Sequence, residues 1–151
     1  TFREIKMEHV MTPFVVNSFY FCDPDGKTEY VQSRKWMPAD ERTPSIKRLA
    51  FEDIDAKNCH VAAAYFDGLP EQKIEEIIMK NIIVTYAQNP KCDVPAMSAG
   101  VEPCSLKGIF ARNIKKLKLE NVVISGQEGE AVITDGVDDI YEYVQNSENM
   151  E

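Results

Sequence analysis

Apolar and polar residues recur in the same order in four stretches of this chain. In each stretch an apolar residue is followed by a second three positions later and a third at position five. An Asn, Asp or His comes at position seven, and Ile or Val at position eight. The four stretches are FREIKMEHVM (2–11), IKRLAFEDIDA (46–56), IEEIIMKNIIV (74–84) and IKKLKLENVVI (114–124). Offsets shared by all four indicate an internal repeat, which constrains the fold before any other feature does.

The spacing inside each copy predicts two short β-strands joined by a corner. The apolar residues at positions three and five alternate with polar ones, as in a strand with one buried face. The next apolar residue comes one position early, and this slip would invert the two faces unless the chain turned there. Asn and Asp suit such a corner because they tolerate left-handed backbone angles. We therefore expect Asn81 and Asn121 to stack at one corner, with Asp53 and His9 in line.

Short strands that are joined by corners and repeated along a chain are typical of a solenoid of parallel strands. The copies begin near residues 2, 46, 74 and 114, so their spacing varies. A leucine-rich repeat is the rival, because IKKLKLEN resembles the start of its pattern, but that repeat places its Asn one position later and keeps a steadier period. We predict an all-β fold, a single partial right-handed parallel β-helix of about four coils over residues 1–151.

Two long insertions interrupt the predicted coils. Residues 22–45 contain turn formers, the only Trp of the chain and a cluster of basic residues, and residues 88–108 contain three prolines and two glycines. We predict that both are surface loops, which is where solenoids carry their function. The repeat weakens after residue 126, so residues 127–151 are predicted to form a C-terminal cap and tail.

Composition limits the classes of partner. The formal net charge is −8, which argues against nucleic acid because binding to nucleic acid depends on Lys and Arg that neutralise phosphates. An acidic ligand would therefore need a local basic patch. No stretch of the sequence is apolar for long enough to cross a bilayer. We expect neither nucleic acid nor a membrane as partner.

The cysteines and histidines do not form a recognisable site. The four cysteines lack metal-ligand spacing. Cys92 and Cys104 are spaced so that a disulfide across one loop is an alternative, with free thiols as the simpler expectation. Cys59 beside His60 suggests a nucleophile and its base, but adjacent residues of a strand point to opposite faces. We predict no metal, no cofactor and no catalytic residue in this chain.

Three longer stretches follow one another in an order typical of one enzyme family. They are FREIKMEHVMTPFVVNSFYF, RTPSIKRLAFEDIDA and GIFARNIKKLKLENVVISG. Together they cover most of residues 2–126 and resemble the C-terminal coils of glycoside hydrolase family 28, the polygalacturonases, bacterial members above all. The resemblance implies a right-handed parallel β-helix. It also implies hydrolysis of α-1,4 links between galacturonic acids with inversion, in which aspartates act as general acid and base around a water.

The signatures that carry this chemistry in the family are missing from their places in the chain. These signatures are Asn-Thr-Asp, a paired Asp-Asp, Gly-His-Gly and Arg-Ile-Lys. The chain does contain an Asp-Asp pair, Asp138–Asp139, but this pair lies after the final predicted coil. The resemblance therefore implies a C-terminal segment of a hydrolase acting on pectin-type galacturonides that is inactive on its own. The true N-terminus is expected to be absent, and the compartment is either extracellular or cytoplasmic.

The resemblance also implies a substrate-binding residue. In the family the strand after the first of these repeats ends on a tyrosine that binds substrate, and PFVVNSFYF aligns that residue with Tyr20. Arg34, Lys35 and Trp36 in the following loop are candidates by residue type, since they suit the charge of a uronate and the face of its ring. The predicted partner is an acidic polysaccharide or oligogalacturonide.

Two other functions are kept open by the sequence. The first is a non-catalytic module that binds acidic glycans or serves as a structural spacer. The second is a calcium-dependent pectate lyase, which needs clustered carboxylates and a basic residue on one parallel face, and the sequence shows no such set. We also expect a homo-oligomer through the N-terminal end of the solenoid, because the apolar residues Phe2, Ile5 and Met7 would be uncovered there.

Overall fold

The computed structural model describes residues 1–143, which form nine β-strands and one short helix. In chain order the elements are β1 (Phe2–Glu8), β2 (Phe14–Asn17), α1 (Glu29–Gln32), β3 (Arg48–Cys59), β4 (Ala62–Asp67), β5 (Ile74–Tyr86), β6 (Lys107–Arg112), β7 (Ile114–Ser125), β8 (Val132–Asp135) and β9 (Asp139–Tyr143). Within this part of the chain no helix has the length and hydropathy that crossing a bilayer requires.

The strands alternate between two sheets. Sheet A has the order β1-β3-β5-β7-β9 and sheet B the order β2-β4-β6-β8. Every neighbouring pair is parallel. Strand order follows chain order in both sheets, so the chain adds one strand to each sheet in turn. The prediction of an all-β fold with parallel sheets is confirmed.

The inward faces of the two sheets form one hydrophobic core. Parallel pairing in register places like residues above one another, so that Ile54 of β3 lies beside Ile82 of β5, and Ile82 beside Val122 of β7. Sheet B contributes smaller side chains such as Ala64 together with Phe66, and both are fully buried. Burial on this scale stabilises a chain by about 25 cal/mol for each Å² of apolar surface removed from water.

A ladder of polar side chains marks the corner of sheet A. Asp53, Asn81 and Asn121 all adopt left-handed backbone angles, with φ of 54°, 53° and 51°. The Asn81 amide donates to the Asp53 carboxylate at 2.8 Å, and the Asn121 amide donates to the Asn81 side-chain oxygen at 3.0 Å. The predicted corner and its stacking are therefore confirmed for these three layers.

The alignment of the first copy was wrong. The sequence placed Met7 against Phe51 and His9 against Asp53, whereas the structure pairs Phe2 with Phe51 and Met7 with Ala56. The ring of Phe2 stacks on that of Phe51, with centroids 5.4 Å apart, and this contact is available only in the observed register. The corner of the first layer falls at Glu4, where φ is 56°. Glutamate carries no preference for left-handed angles, so its residue type gave no signal.

His9 lies at a second corner. Its φ is 57°, and its backbone N–H donates to the carbonyl of Lys57 at 3.0 Å. This places it beside Asn58, which also has a left-handed φ of 52°. His9 is therefore a corner residue, but not in line with Asp53.

The C-terminal region extends both sheets. Strands β8 and β9 add a fourth strand to sheet B and a fifth to sheet A, where about four coils and then a cap had been predicted. β9 pairs with β7 in register, with Leu117 beside Ile140. The remaining residues of the predicted cap and tail, 144–151, lie outside the described residues.

The outward face of sheet A carries cross-strand ion pairs. Arg3 bonds Glu52 at 2.6 Å on the neighbouring strand, and Arg48 bonds Glu76 at 2.8 Å. Lys118, on the other side of Glu76, approaches the same carboxylate to 2.7 Å. These pairs are exposed, and exposed ion pairs contribute little to stability because solvent screens them. This face of the sheet is therefore a solvated charged surface.

The predicted self-association concerns the β1 end of the stack. An open apolar cavity of about 410 Å³ lies there, lined by residues that include Phe2, Met7 and Phe14, and half of Phe2 is exposed. We expect the mass of the chain in sedimentation velocity to rise with concentration above 17.1 kDa. Phe2→Lys places a charge on that surface and should shift the association to higher concentration. A single species of one mass over the whole concentration range would contradict the prediction.

The corner ladder gives a test with two matched variants. Asn81→Ala removes both side-chain hydrogen bonds and forces Ala into a left-handed conformation, so we expect the free energy of unfolding to fall by about 3 kcal/mol. Asn81→Gly removes the same bonds but tolerates the backbone angle, and the loss should be closer to about 2 kcal/mol. Urea denaturation measures both. Equal losses would show that the backbone angle contributes nothing.

Candidate functional site

The outward face of sheet B carries a polar ladder at the ends of its strands. Asn17 of β2 pairs with Asp67 of β4, Asp67 with Arg112 of β6, and Arg112 with Asp135 of β8. Since side chains alternate along a strand, the residues two positions earlier face the same way, and in β4 and β6 they are the aromatic Tyr65 and Phe110. One face thus presents a row of polar groups beside a row of apolar ones that includes two rings.

Asp67 is the centre of this ladder. Its side chain is fully buried, yet it carries a carboxylate. Arg112 holds it with two parallel bonds, from Nε to Oδ1 at 2.8 Å and from Nη2 to Oδ2 at 2.7 Å. Bidentate pairing of this kind is the strong form of the arginine–carboxylate interaction. The bond to Asp67 raises the pKa of Arg112, so this guanidinium stays charged at every physiological pH.

Two further groups approach Asp67 at longer range. Arg34 Nη2 lies 3.4 Å from Oδ2, and the hydroxyl of Tyr65 lies 3.4 Å from the same oxygen. Arg34 Nη2 also donates to the carbonyl oxygen of Ala99 at 3.3 Å. Burial, and next the charge of Asp67, raise the pKa of Tyr65, so the phenol is neutral and acts as a donor. The carboxylate is thus enclosed by two cations and a hydroxyl.

Local structure in the first long connection, which joins β2 to β3, positions Arg34. The side chain of Gln32, at the end of α1, donates to the carbonyls of Phe19 at 2.9 Å and Gly26 at 2.7 Å. Arg34 follows two residues later, and its guanidinium lies over the ring of Phe19, 4.5 Å from the centroid. A cation over an aromatic face is attracted by the quadrupole of the ring. This connection therefore delivers a guanidinium to the outward face of sheet B.

The second long connection, which joins β5 to β6, covers the same outward face of sheet B. The side-chain amide of Asn17 donates to the carbonyl of Met97 at 2.6 Å, and the phenol of Tyr86 donates to the carbonyl of Lys107. Within this connection, Asp93 and Cys104 form an antiparallel bridge. The Asn17 bond holds the middle of the connection at the end of β2, the Tyr86 bond joins the end of β5 to the start of β6, and the connection forms a wall above sheet B.

A cavity of about 410 Å³ lies between the two connections and sheet B. We call it the arginine pocket. Its cations are Arg34, Lys107 and Arg112, and its apolar lining includes Tyr65, Phe110 and Ile133. The rings of Tyr65 and Phe110 stack with centroids 5.1 Å apart. A Cβ at Gly108, in the floor, would overlap the backbone of Ala131, so only glycine allows this approach.

Positive charge dominates the pocket in an otherwise acidic chain. The lining contains two arginines and a lysine, and the nearest carboxylate, that of Asp67, is buried beneath them. The pocket thus supplies the local basic patch that an acidic ligand would need on a chain of net charge −8. Cations beside an apolar wall suit a ligand that has a carboxylate on a ring with an apolar face.

Tyr20 lies in a different cavity. This second cavity, about 480 Å³, is lined by Tyr20 and Tyr30 together with the carboxylates of Asp23, Asp25 and Glu71. Its arginine, Arg42, is bonded to Asp40 at 2.7 Å and lies over Tyr30. Negative charge therefore prevails here, and an anionic sugar is favoured less than in the arginine pocket. The substrate-binding role of Tyr20 stays a prediction.

The four predicted site residues are not brought together. Arg34 lies in the arginine pocket and Tyr20 in the second cavity. Lys35 is exposed, Trp36 is 67% exposed, and among the described residues neither belongs to the lining of either cavity. Their binding roles also stay predictions. A tryptophan exposed to this degree is nevertheless available to a ligand that extends beyond the pocket.

Cys59 and His60 lack the environment of a nucleophile and its base. Both residues are buried, and burial raises the pKa of the Cys59 thiol to about 11. A thiol with that pKa is protonated at neutral pH and unreactive. His60 Nδ1 accepts from the backbone N–H of Lys91 at 3.3 Å. All four cysteines are free thiols, and within residues 1–143 no three His, Cys, Asp or Glu side chains are placed to hold a metal ion.

Tyr65, Phe110 and Arg112, which line the pocket, and Asp67, which lies beneath it, are among the residues that were not predicted from the sequence. The signal that would have found them is a spacing of two within short strands. AAAYFDG places Tyr65 and Asp67 on one face, and GIFARN does the same for Phe110 and Arg112. In both segments the aromatic residue comes two positions before the charged one.

The buried carboxylate gives a stability test. Asp67→Ala leaves Arg112 without its bidentate partner, and we expect the free energy of unfolding to fall by about 3 kcal/mol. Asp135→Ala removes an exposed carboxylate one layer further along the same ladder, and the change should stay within about 0.5 kcal/mol. Chemical denaturation of both variants measures the difference. Equal small effects would mean that Arg112 turns to solvent without loss.

Comparisons of this chain with protein-family models, with curated proteins and with solved structures give no match. Function is therefore inferred from the chemistry of the pocket, which carries more information than the fold does.

Proposed function

We propose that this chain is a right-handed parallel β-helix segment that binds an acidic saccharide in the arginine pocket. In this proposal it corresponds to the C-terminal coils of a polygalacturonase-like glycoside hydrolase acting on pectin-type galacturonides. It supplies binding residues and a cleft wall, and it does not supply the general acid and base. The observation that carries the proposal is the set of three cations on an apolar wall, Arg34, Lys107 and Arg112.

The topology supports the β-helix. Each strand of sheet A is followed by one of sheet B and then by the next parallel strand of sheet A. Connections between parallel strands of one sheet are right-handed in about 98% of cases, because a right-twisted strand packs back onto its sheet only that way. The stacked corner residues Asp53, Asn81 and Asn121 add the repeated turn that successive coils of one solenoid require.

The chemistry of a uronide matches the pocket on two sides. Its carboxylate can accept paired hydrogen bonds from a guanidinium. The apolar face of its ring can lie against Phe110, which is partly exposed beside Arg112. A ligand that offers both groups at once gains from both walls, whereas a neutral sugar gains from one. The pocket therefore favours acidic over neutral saccharides.

The same geometry opposes catalysis by this chain alone. Inverting hydrolysis needs two carboxyl groups about 6.5–9.5 Å apart that reach the substrate and a water. Asp67, the carboxylate nearest the pocket, is fully buried and both of its oxygens are held by Arg112, so it does not reach a ligand in the pocket. The Asp138–Asp139 pair lies at β9 of sheet A, and Asp138 is bonded to Lys73. These carboxylates are unsuited to act as acid and base in the pocket.

A non-catalytic module for acidic glycans is the second candidate. The burial of the Asp67 carboxylate favours this non-catalytic module, because the pocket offers binding groups and no accessible acid or base. The two candidates use the same pocket and differ in whether catalytic coils belong to the native protein. The intact mass of the native protein separates them: a mass well above 17.1 kDa favours the hydrolase and the same mass favours the module.

Binding and hydrolysis are tested together on purified chain. Isothermal titration with tri- and pentagalacturonate should show binding that weakens as salt is added, because the contacts are ionic. Neutral galactose oligomers of the same lengths, which lack the carboxylates, should bind at least about tenfold more weakly. No reducing ends should appear from polygalacturonate. Equal binding of acidic and neutral oligomers would contradict the pocket assignment, and release of reducing ends would contradict the absence of catalysis.

A further inference from the structure

The two arginines of the pocket are held in different ways. Arg112, from the regular strand β6, is fixed by two short bonds to the two oxygens of Asp67. Arg34, from an irregular connection, contacts the same carboxylate by a single nitrogen at 3.4 Å. A contact of that length is near the limit of a hydrogen bond and contributes little. One arginine is thus part of the framework, and the other is held by long polar contacts and by the ring of Phe19.

Arg34 has hydrogen-bonding capacity left over. Both of its contacts, to Asp67 Oδ2 and to the carbonyl of Ala99, use Nη2. Its Nε and Nη1 have no hydrogen-bond partner within residues 1–143, and a guanidinium offers five N–H donors in all. Its side chain is 31% exposed, against 22% for Arg112. Arg34 is therefore the cation that can bind a new carboxylate through Nε and Nη1 without giving up a short hydrogen bond.

Asp67 retains its charge balance when Arg34 turns away. The bidentate bonds from Arg112 remain, and the hydroxyl of Tyr65 stays within 3.4 Å of Oδ2. Turning Arg112 instead would leave a fully buried carboxylate without its main partner, which is strongly destabilising. Arg34, rather than Arg112, is therefore the arginine that can leave Asp67 and bind the carboxylate of the ligand.

We propose that Arg34 takes the free carboxylate of the ligand and that Arg112, locked by Asp67, is a positioning residue that fixes the wall against which the ring lies. This assignment rests on the proposed function, since it presumes an acidic saccharide in the pocket. It names a ligand class more narrowly: a saccharide unit whose carboxyl group is free rather than esterified. A methyl ester has no negative charge and cannot accept the paired bonds of a guanidinium.

The test uses trigalacturonate and its fully methyl-esterified form as two probes of one shape. Wild-type chain should bind the free acid at least about tenfold more tightly than the ester, as expected for hydrogen bonds to a charged group. Arg34→Ala should lose that preference by weakening the acid and leaving the ester unchanged. Arg34→Lys, which keeps the charge but not the fork, should retain part of it.

Arg48→Ala is the matched control. Arg48 is also an arginine bonded to a carboxylate, Glu76, but it lies on the outward face of sheet A, away from the pocket. The Arg48→Ala substitution removes one positive charge from the chain, as Arg34→Ala does, so it controls for any general electrostatic effect on binding. Both ligands should bind this variant as they bind wild type. Thermal unfolding of each variant, measured alongside, reports whether the fold is kept.

The outcomes separate this assignment from the proposed function. If Arg34→Ala weakens acid and ester equally, Arg34 only shapes the pocket and the assignment fails. If Arg34→Ala binds the acid like wild type while Arg112→Lys loses it, the fixed arginine is the partner and the assignment fails. In both cases acidic saccharides still bind and the proposed function stands. If the wild-type chain binds neither probe, the proposed function itself fails.

Discussion

The left-handed corner in each layer is the constraint on which the rest of the structure depends. A residue with φ near 50° turns the strand without breaking its pairing, so the chain changes direction inside a continuous parallel ladder. Asn and Asp accept this conformation at little cost, and in the ladder Asp53–Asn81–Asn121 they also bond one another from layer to layer. Because the corners are stacked, the residues on either side of them are also stacked, as far as Ala56, after which β3 shifts by one residue against β5. The register of the core follows from a few side chains at its edge.

That register explains why the pocket exists. In-register layers place chemically different residues of distant segments beside one another, and Asp67 meets Arg112 across a separation of 45 residues. The same pairing sets Tyr65 beside Phe110, so that a stacked pair of rings lies next to the Asp67–Arg112 ion pair. The two long connections then close over this face, tied down by Asn17 and Arg34. A repetitive scaffold thereby gains a site that no single layer contains.

Sheet A was predictable from the sequence and sheet B was not, for a physical reason. Strands β3, β5 and β7 are long and carry a bend that shifts the apolar period at a fixed place, and this shift repeats three times. Strands β2, β4, β6 and β8 have four to six residues and lie between irregular connections, so a period has little length in which to appear. The first layer failed for a third reason, since its corner is the glutamate Glu4. A left-handed glutamate is set by its neighbours above the layer and not by its own preference.

The candidate site likewise contains one residue that was predictable from the sequence and others that were not. Arg34 was predicted because an arginine in a long loop suggests an anion by residue type alone. Its partners Asp67 and Arg112 were missed because their role depends on a contact between layers. In addition, the sequence alone does not show whether a carboxylate is buried or exposed. Once paired, Asp67 changes what both arginines do: it immobilises one and leaves the other free to exchange. An acidic chain can in this way keep a small cationic pocket, because Arg34, Lys107 and Arg112 act locally whatever the net charge of the chain.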